Sequence, residues 1–140
     1  MYLLDLNVLI ALSWPRHVHH GRAHDWFSSL GEQPWATTPL TEVGFIRLSS
    51  NASVVHRPIT TSAALAALRE IRALPGHVFW ADDTSLASPT TSLSRMVSPK
   101  QVTDVHLVNL AARHGAALVT FDRAIPTYVE NGERHVLLLT

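Results

Sequence analysis

LLDLNVLIAL, residues 3–12, is the stretch whose reading decides the fold. Its start belongs to YLLDL (residues 2–6), an apolar run of strand length interrupted by one acid, which predicts a buried strand. NVLIALSW follows with no turn between and predicts a helix, with Asn7 placed to cap it. A strand that passes straight into a helix is the first half of a βα unit, and the rest of the chain repeats the alternation.

Outward from that stretch, Pro15 punctuates. Ala23, Trp26, Phe27 and Leu30 then recur at helical spacing in an amphipathic helix over 16–30 that Gly31 ends. PWATT (34–38) reads as a short strand. Thr38 followed by Pro39 supplies a capping residue and a proline at the first helical position, so a helix runs through TEVGFIRLSS. After a loop with His56, Arg57 and Pro58, SAALAALREIRAL (62–74) is a helix stopped by Pro75-Gly76, and HVFWA (77–81) is a strand. Segment 82–102, rich in Ser, Thr and Pro, reads as loop or weak helix. Thr103 is placed to cap the helix DVHLVNLAARH, which Gly115 closes; ALVTF (117–121) and RHVLLL (134–139) are the last strands. The pattern predicts α/β layering around a mainly parallel sheet, in a single domain over 1–140 with no repeat or linker.

The 140 residues are 46% hydrophobic and 16% charged, which excludes a disordered chain. The absence of cysteine removes disulfides, thiolate catalysis and cysteine-based zinc sites, and it fits a reducing compartment. No basic leader or small-residue cleavage site opens the chain. The first apolar run is too short and polar to cross a bilayer, which takes about 20 apolar residues. A soluble, cytoplasmic protein without a membrane partner is expected. The formal charge of zero gives no global attraction to nucleic acid. Of eleven basic residues only Lys100 is lysine; arginine's planar fork suits phosphate, but it equally suits carboxylate partners or a genomic preference.

The informative observation is where four acids fall. Asp5 ends the first strand and Asp122 lies just past ALVTF, and in open α/β sheets ligands bind outside the carboxyl ends of the strands. Asp104 stands in the first turn of its helix with Leu107, Val108 and Ala111 at i+3, i+4 and i+7, so it shares the apolar face, opposite His106, Asn109 and Arg113. Glu42 lies in line with Phe45 and Ile46. Singly, each acid has an ordinary explanation. Asp104 suits a helix N-terminus, Asp122 a turn, and Asp5 an arginine partner, while Glu42 could reach water sideways. Jointly, two acids at strand ends and two on core-facing stripes are costly unless something pairs with them. If they converge, their repulsion calls for a cation, and all-oxygen ligation favours magnesium, with manganese a substitute, over zinc.

The strings LLDLNVLIAL, TPLTEVGFIRL, VTDVHLVNLAARHG and LVTFDR, in that order, closely resemble the PIN-domain toxins of the VapC family, and HVFWADD is similar to the segment before their third acidic region. The resemblance spans nearly the whole chain. It implies a three-layer α/β/α sandwich and a magnesium-dependent endoribonuclease. It also implies a homodimer and a heteromer with a VapB-type antitoxin. Carried over by position, Asp5, Glu42, Asp104 and Asp122 match the acidic quartet, with Asp5 and Asp104 as the most direct metal ligands. Asn7 and Thr120 match polar residues that hold those ligands in place. Arg47 resembles a helix arginine that contacts the acidic site or an antitoxin tail. Structured RNA, such as transfer or ribosomal RNA, is the implied substrate class. SPTTSLSRMVSPK, within 82–102, matches nothing in that pattern.

Other features carry less. His17, His19, His20 and His24 are dense, and His20 with His24 has zinc-pair spacing. No Glu stands between them in the metalloprotease arrangement, so a solvated helix face is the reading. Trp14, Trp26, Trp35 and Trp80 could stack on bases, but core or interface packing accounts for them. There is no glycine-rich phosphate loop and no nucleophile elbow. Asn7 stands where a dehalogenase-type phosphatase would need a second Asp. Two rival readings stay open: a DNA- or flap-directed metal nuclease, and a non-catalytic RNA- or partner-binding module of the same fold.

Overall fold

The computed structural model describes residues 1–52 and 57–140, so His56 of the expected loop lies outside the described residues. Five strands form one sheet in the order β3-β2-β1-β4-β5, with every pairing parallel. The strands are β1 (Tyr2–Leu4), β2 (Trp35–Thr37), β3 (His77–Phe79), β4 (Ala117–Thr120) and β5 (Val136–Leu138). The longer helices are α1 (Leu6–Ser13), α2 (His20–Ser29), α3 (Pro39–Ser49), α4 (Thr61–Arg72) and α5 (Val102–Arg113), and a short α6 (Gly132–His135) leads into β5.

Strand periodicity explains the layering. Leu3, Ala36 and Leu118 face one side and pack with Val105, Leu107, Val108, Leu110 and Ala111 of α5. Their sequence neighbours Leu4, Trp35 and Val119 face the other side and pack with Val8, Leu9, Phe45, Leu68 and Ile71 of α1, α3 and α4. One hydrophobic cluster on each face of the sheet makes the three-layer α/β/α sandwich, and the predicted mainly parallel sheet is parallel throughout. Among the described residues no helix is long and apolar enough to cross a membrane.

Three helix starts differ from expectation. Asn7 sits inside α1 and the cap is Asp5, whose backbone is extended and whose Oδ1 accepts from the Leu6 amide at 2.7 Å. Thr103 likewise sits inside α5. The helix is entered through a 3-10 turn over Pro99–Gln101, where the Ser98 hydroxyl accepts from the Lys100 amide and the Gln101 side chain accepts from the Ser98 amide at 3.0 Å. Ser98-Pro99 is the same signal as Thr38-Pro39. The helix expected over 16–30 begins only at His20.

Segment 82–91 covers the polar face of α5. Asn109 is fully buried: its Oδ1 accepts from the amides of Thr90 (2.7 Å) and Thr91 (3.3 Å), and its Nδ2 donates to the Thr84 hydroxyl at 2.8 Å. Asp82 meets His106 at 3.2 Å, Asp83 meets Arg113 and His114 at 3.2 Å, and Trp80 stacks on the His114 ring at 4.0 Å. The irregular segment is therefore a strap laid across a polar helix face. Truncating Asn109 to Ala strands three polar groups at once and is expected to cost about 2–3 kcal/mol, read in urea melts. Loss of hydrogen-exchange protection should then concentrate at Thr90 and Thr91.

Candidate active site

β1 lies between β2 and β4, so the chain leaves it toward one side and later returns on the other. The crevice outside the carboxyl ends of β1 and β4 is the switch point of the sheet. Asp5 occupies it from β1. Leu4 pairs in register with Val119, which brings Thr120 beside Asp5, and the Asp5 amide donates to the Val119 carbonyl at 3.0 Å.

The side chains there form a closed network. The Thr120 hydroxyl donates to Asp5 Oδ2 at 2.6 Å, and it accepts from Asn7 Nδ2 at 2.9 Å and the Asp122 amide at 3.1 Å. Asn7 Nδ2 also donates to Asp5 Oδ2 at 2.8 Å, while Asn7 Oδ1 accepts from the Phe121 amide at 3.2 Å. With Leu6 on Oδ1, three of the roughly four lone-pair sites of the Asp5 carboxylate are taken. The remaining one is on Oδ1. Asp122 is held by a turn in which its Oδ1 accepts from the Ala124 amide at 2.8 Å.

Asp5, Asp104 and Asp122 line one cleft of about 410 Å³, with Asn7, Arg47 and His17 also in its wall. Asp104 and Leu107 enter it together from α5, as their spacing requires.

A family profile described as PIN domain matches residues 2–130. Over 136 residues the chain is 48% identical to ribonuclease VapC39 of Mycobacterium tuberculosis (strain ATCC 25618 / H37Rv), covering 96% of this chain and 98% of that protein. It is 45% identical over 130 residues to ribonuclease VapC38 of the same strain, covering 93% and 91%. With ribonuclease VapC44 the figures are 40% over 124 residues, covering 88% and 87%. The chain is a VapC-type PIN domain.

Glu42 stands apart from the other acids of this PIN domain. The cleft is walled by Leu40, Thr41, Gly44, Arg47 and Leu48 of α3, and Glu42 lies about 100° round the helix from Thr41, in phase with buried Phe45. Its carboxylate accepts from the Thr37 hydroxyl at 2.6 Å and pairs with Arg72 at 3.4 Å. The expectation of four converging carboxylates is corrected to three, because helical phase turns the fourth toward β2 and α4.

The three that converge repel one another. Burial first, then the charges of Asp104 and Asp122, push Asp5 up to about 6 against the lowering hydrogen bonds from Thr120 and Leu6. Burial and the charge of Asp122 also raise Asp104. An all-oxygen donor set in which Asp5 and Asp104 are pushed toward the neutral form fits a hard divalent cation. As placed, no three His, Cys, Asp or Glu side chains among the described residues close tightly enough to ligate one ion jointly. Magnesium tolerates that arrangement, since it is commonly held by one or two carboxylates with water completing its shell.

The histidines divide. His20 Nδ1 donates to the Ala11 carbonyl at 2.7 Å and the exposed His24 donates from Nε2 to the Leu12 carbonyl at 3.0 Å, so this pair caps the end of α1 from a partly solvated face. His19 stacks on Phe121 at 4.3 Å. His17, grouped in the sequence with solvated neighbours, is in the cleft wall; Asn7, Ile10 and His17 recur at i, i+3 and i+10, a weak signal because α1 ends before His17. Trp35 and Trp80 are buried, as core packing predicts.

The raised Asp5 has a consequence for stability. An unfolded Asp titrates near 3.9, so below about pH 4 the group is neutral in both states and carries no penalty. Between pH 4 and 6 the unfolded chain ionises first, and folding loses stability as pH rises; the loss is complete above 6 and amounts to about 3 kcal/mol. Metal-free wild type is therefore expected to gain thermal stability between pH 7 and pH 5 relative to Asp5→Asn, measured by calorimetry in EDTA. Equal pH dependence in the two proteins would contradict it.

Proposed function

We propose that this PIN domain is the toxin of a type II toxin–antitoxin pair, a magnesium-dependent endoribonuclease acting in the cytosol and silenced by a VapB-type antitoxin. The observation that carries the reading is the convergence of Asp5, Asp104 and Asp122 on one cleft at the switch point of the sheet. The relatives named ribonuclease give the substrate its class, and structured RNA with an exposed loop is the expected target.

Asp5 and Asp104 would hold the ion, with Asp122 completing the acidic wall, and manganese would serve in its place. When bound, the ion would supply charge to the phosphate and to the leaving oxygen and would favour ionisation of the attacking water. The chain's own residues set the geometry. Thr120 and Asn7 fix Asp5 Oδ2, leaving a lone pair of Oδ1 for the cleft. The water oxygen bonds to phosphorus, the ester P–O bond breaks, and the proton ends on the departing oxygen. Glu42, tied to Thr37 and Arg72, has a structural role between β2, α3 and α4. Exposed Leu40 and Val43 of α3 and Leu65 of α4 offer apolar surface for the antitoxin and for a second copy in a homodimer.

Cleavage of RNA should need magnesium and stop in EDTA. Asp5→Asn and Asp104→Asn are each expected to lower kcat/KM by at least about 100-fold. Thr120→Val should cost about 10–100-fold, with Thr120→Ser restoring most of it, because the hydroxyl orients the ligand. Glu42→Gln should cost less than any of these and should act on melting temperature. Side-by-side digestion of single-stranded RNA and DNA and of a DNA flap separates the endoribonuclease from a DNA-directed enzyme. Salt-sensitive RNA binding without cleavage at any magnesium concentration would favour a non-catalytic module.

A further inference from the structure

The cleft has a second group with no part in the carboxylate network. His17 lies in the turn between α1 and α2, its amide donating to the Trp14 carbonyl at 3.0 Å and its carbonyl accepting from the His20 amide at 2.9 Å. The ring is oriented too: Nδ1 accepts from the His19 amide at 3.1 Å. A ring nitrogen that accepts carries no proton, so the neutral ring bears its hydrogen on Nε2. Nε2 has no partner among the described residues. Burial, then His19 and His20, lower the His17 pKa, which keeps the ring neutral at neutral pH. On α3 the wall extends to Arg47 and Leu48, about 10 Å along the axis from Thr41.

Besides the acids, suited to a metal and the phosphate being cut, the cleft wall thus includes a histidine whose Nε2–H is unpartnered among the described residues and the guanidinium-bearing Arg47. A nuclease aims one phosphate by holding its neighbours, and remote contacts of that kind position the reacting one. We propose that His17 contacts the RNA backbone, donating its Nε2–H to a non-bridging oxygen of a phosphate beside the scissile one, with Arg47 supplying positive charge nearby. This rests on the endoribonuclease reading above. A neutral donor there orients the strand without binding the metal or adding to the charge that Arg47 provides.

The test is steady-state cleavage of a short fluorescein-labelled oligoribonucleotide in magnesium by wild type and by His17→Ala, His17→Phe and His17→Gln, with melting temperatures for each. Ala and Phe are expected to raise KM about tenfold while lowering kcat less than about threefold, and Gln, which keeps an N–H donor, to stay within about threefold of wild type. The salt dependence of binding to the same oligonucleotide in calcium should flatten in Arg47→Ala and not in His17→Ala. A Phe variant with wild-type KM would make His17 a packing residue and overturn the proposal, as would a Gln variant as weak as Ala. Cleavage by wild type with KM unchanged in His17→Ala overturns this contact alone. Failure of wild type to cleave any RNA in magnesium overturns the endoribonuclease reading and this contact with it.

Discussion

The Thr120 hydroxyl, donating to Asp5 Oδ2 at 2.6 Å, joins the ends of the two strands where the strand order of the parallel sheet reverses, and the candidate site is organised around that bond. An ionised carboxylate at 6% exposure is tolerated only with its oxygens occupied, and here Leu6, Asn7 and Thr120 occupy them. Thr120 is itself saturated, since it donates once and accepts from Asn7 and from the Asp122 amide. The bond that settles Asp5 also settles the backbone carrying Asp122. The same closure leaves an imbalance: burial and the two neighbouring acids still hold Asp5 near 6, so the network orients the carboxylate without fully satisfying it. That residual cost is what a cation would relieve.

Helical phase decides which other acids take part. Asp104 and Leu107 are three apart on α5 and enter the cleft together. On α3 the same rule works against Glu42. Thr41 and Gly44 face the cleft, and a single residue's rotation carries Glu42 to Thr37 and Arg72. Gly44 has its own reason to be there, because a Cβ at that position would press on Leu6 Cδ2 at 2.7 Å, where α3 approaches α1 beside the site.

The parts of this architecture legible in the sequence are those where one residue type has one local consequence. Apolar runs gave the strands, Thr38-Pro39 opened α3, and Gly31 and Gly115 adopt the positive φ expected beyond helix ends. Asp5 and Asp122 were placed by strand ends alone. What escaped depends on tertiary partners. By local pattern Asn7 looks like a cap; its supporting role came only from the resemblance, and the proximity of β4 shows the bonds its amide makes to Asp5 and Thr120. Asn109 looks solvated, and only the course of 82–91 shows it buried. Glu42 has the same apolar neighbours that Asp104 has, and periodicity cannot say which layer lies beneath them. His20 and His24 show the same limit, since i,i+4 spacing suits a zinc pair and a pair of carbonyl-capping rings equally.

The cleft poses one problem that these contacts answer together. Three acids in one wall repel a polyanion, and the chain's net charge of zero offers no compensating field. On the proposed reading attraction is local: a cation held by the acids would reverse the sign of their wall, and Arg47 adds a fixed positive charge elsewhere on the surface of the cleft. A charge that depends on a bound ion and one that does not have different consequences for the strand. On the proposed reading the first would govern whether a phosphate can stand at the acids at all, while the second, with His17, would govern how the strand lies when it does. Separating those two tasks would let the acidic wall remain costly when metal-free and still serve a negatively charged substrate.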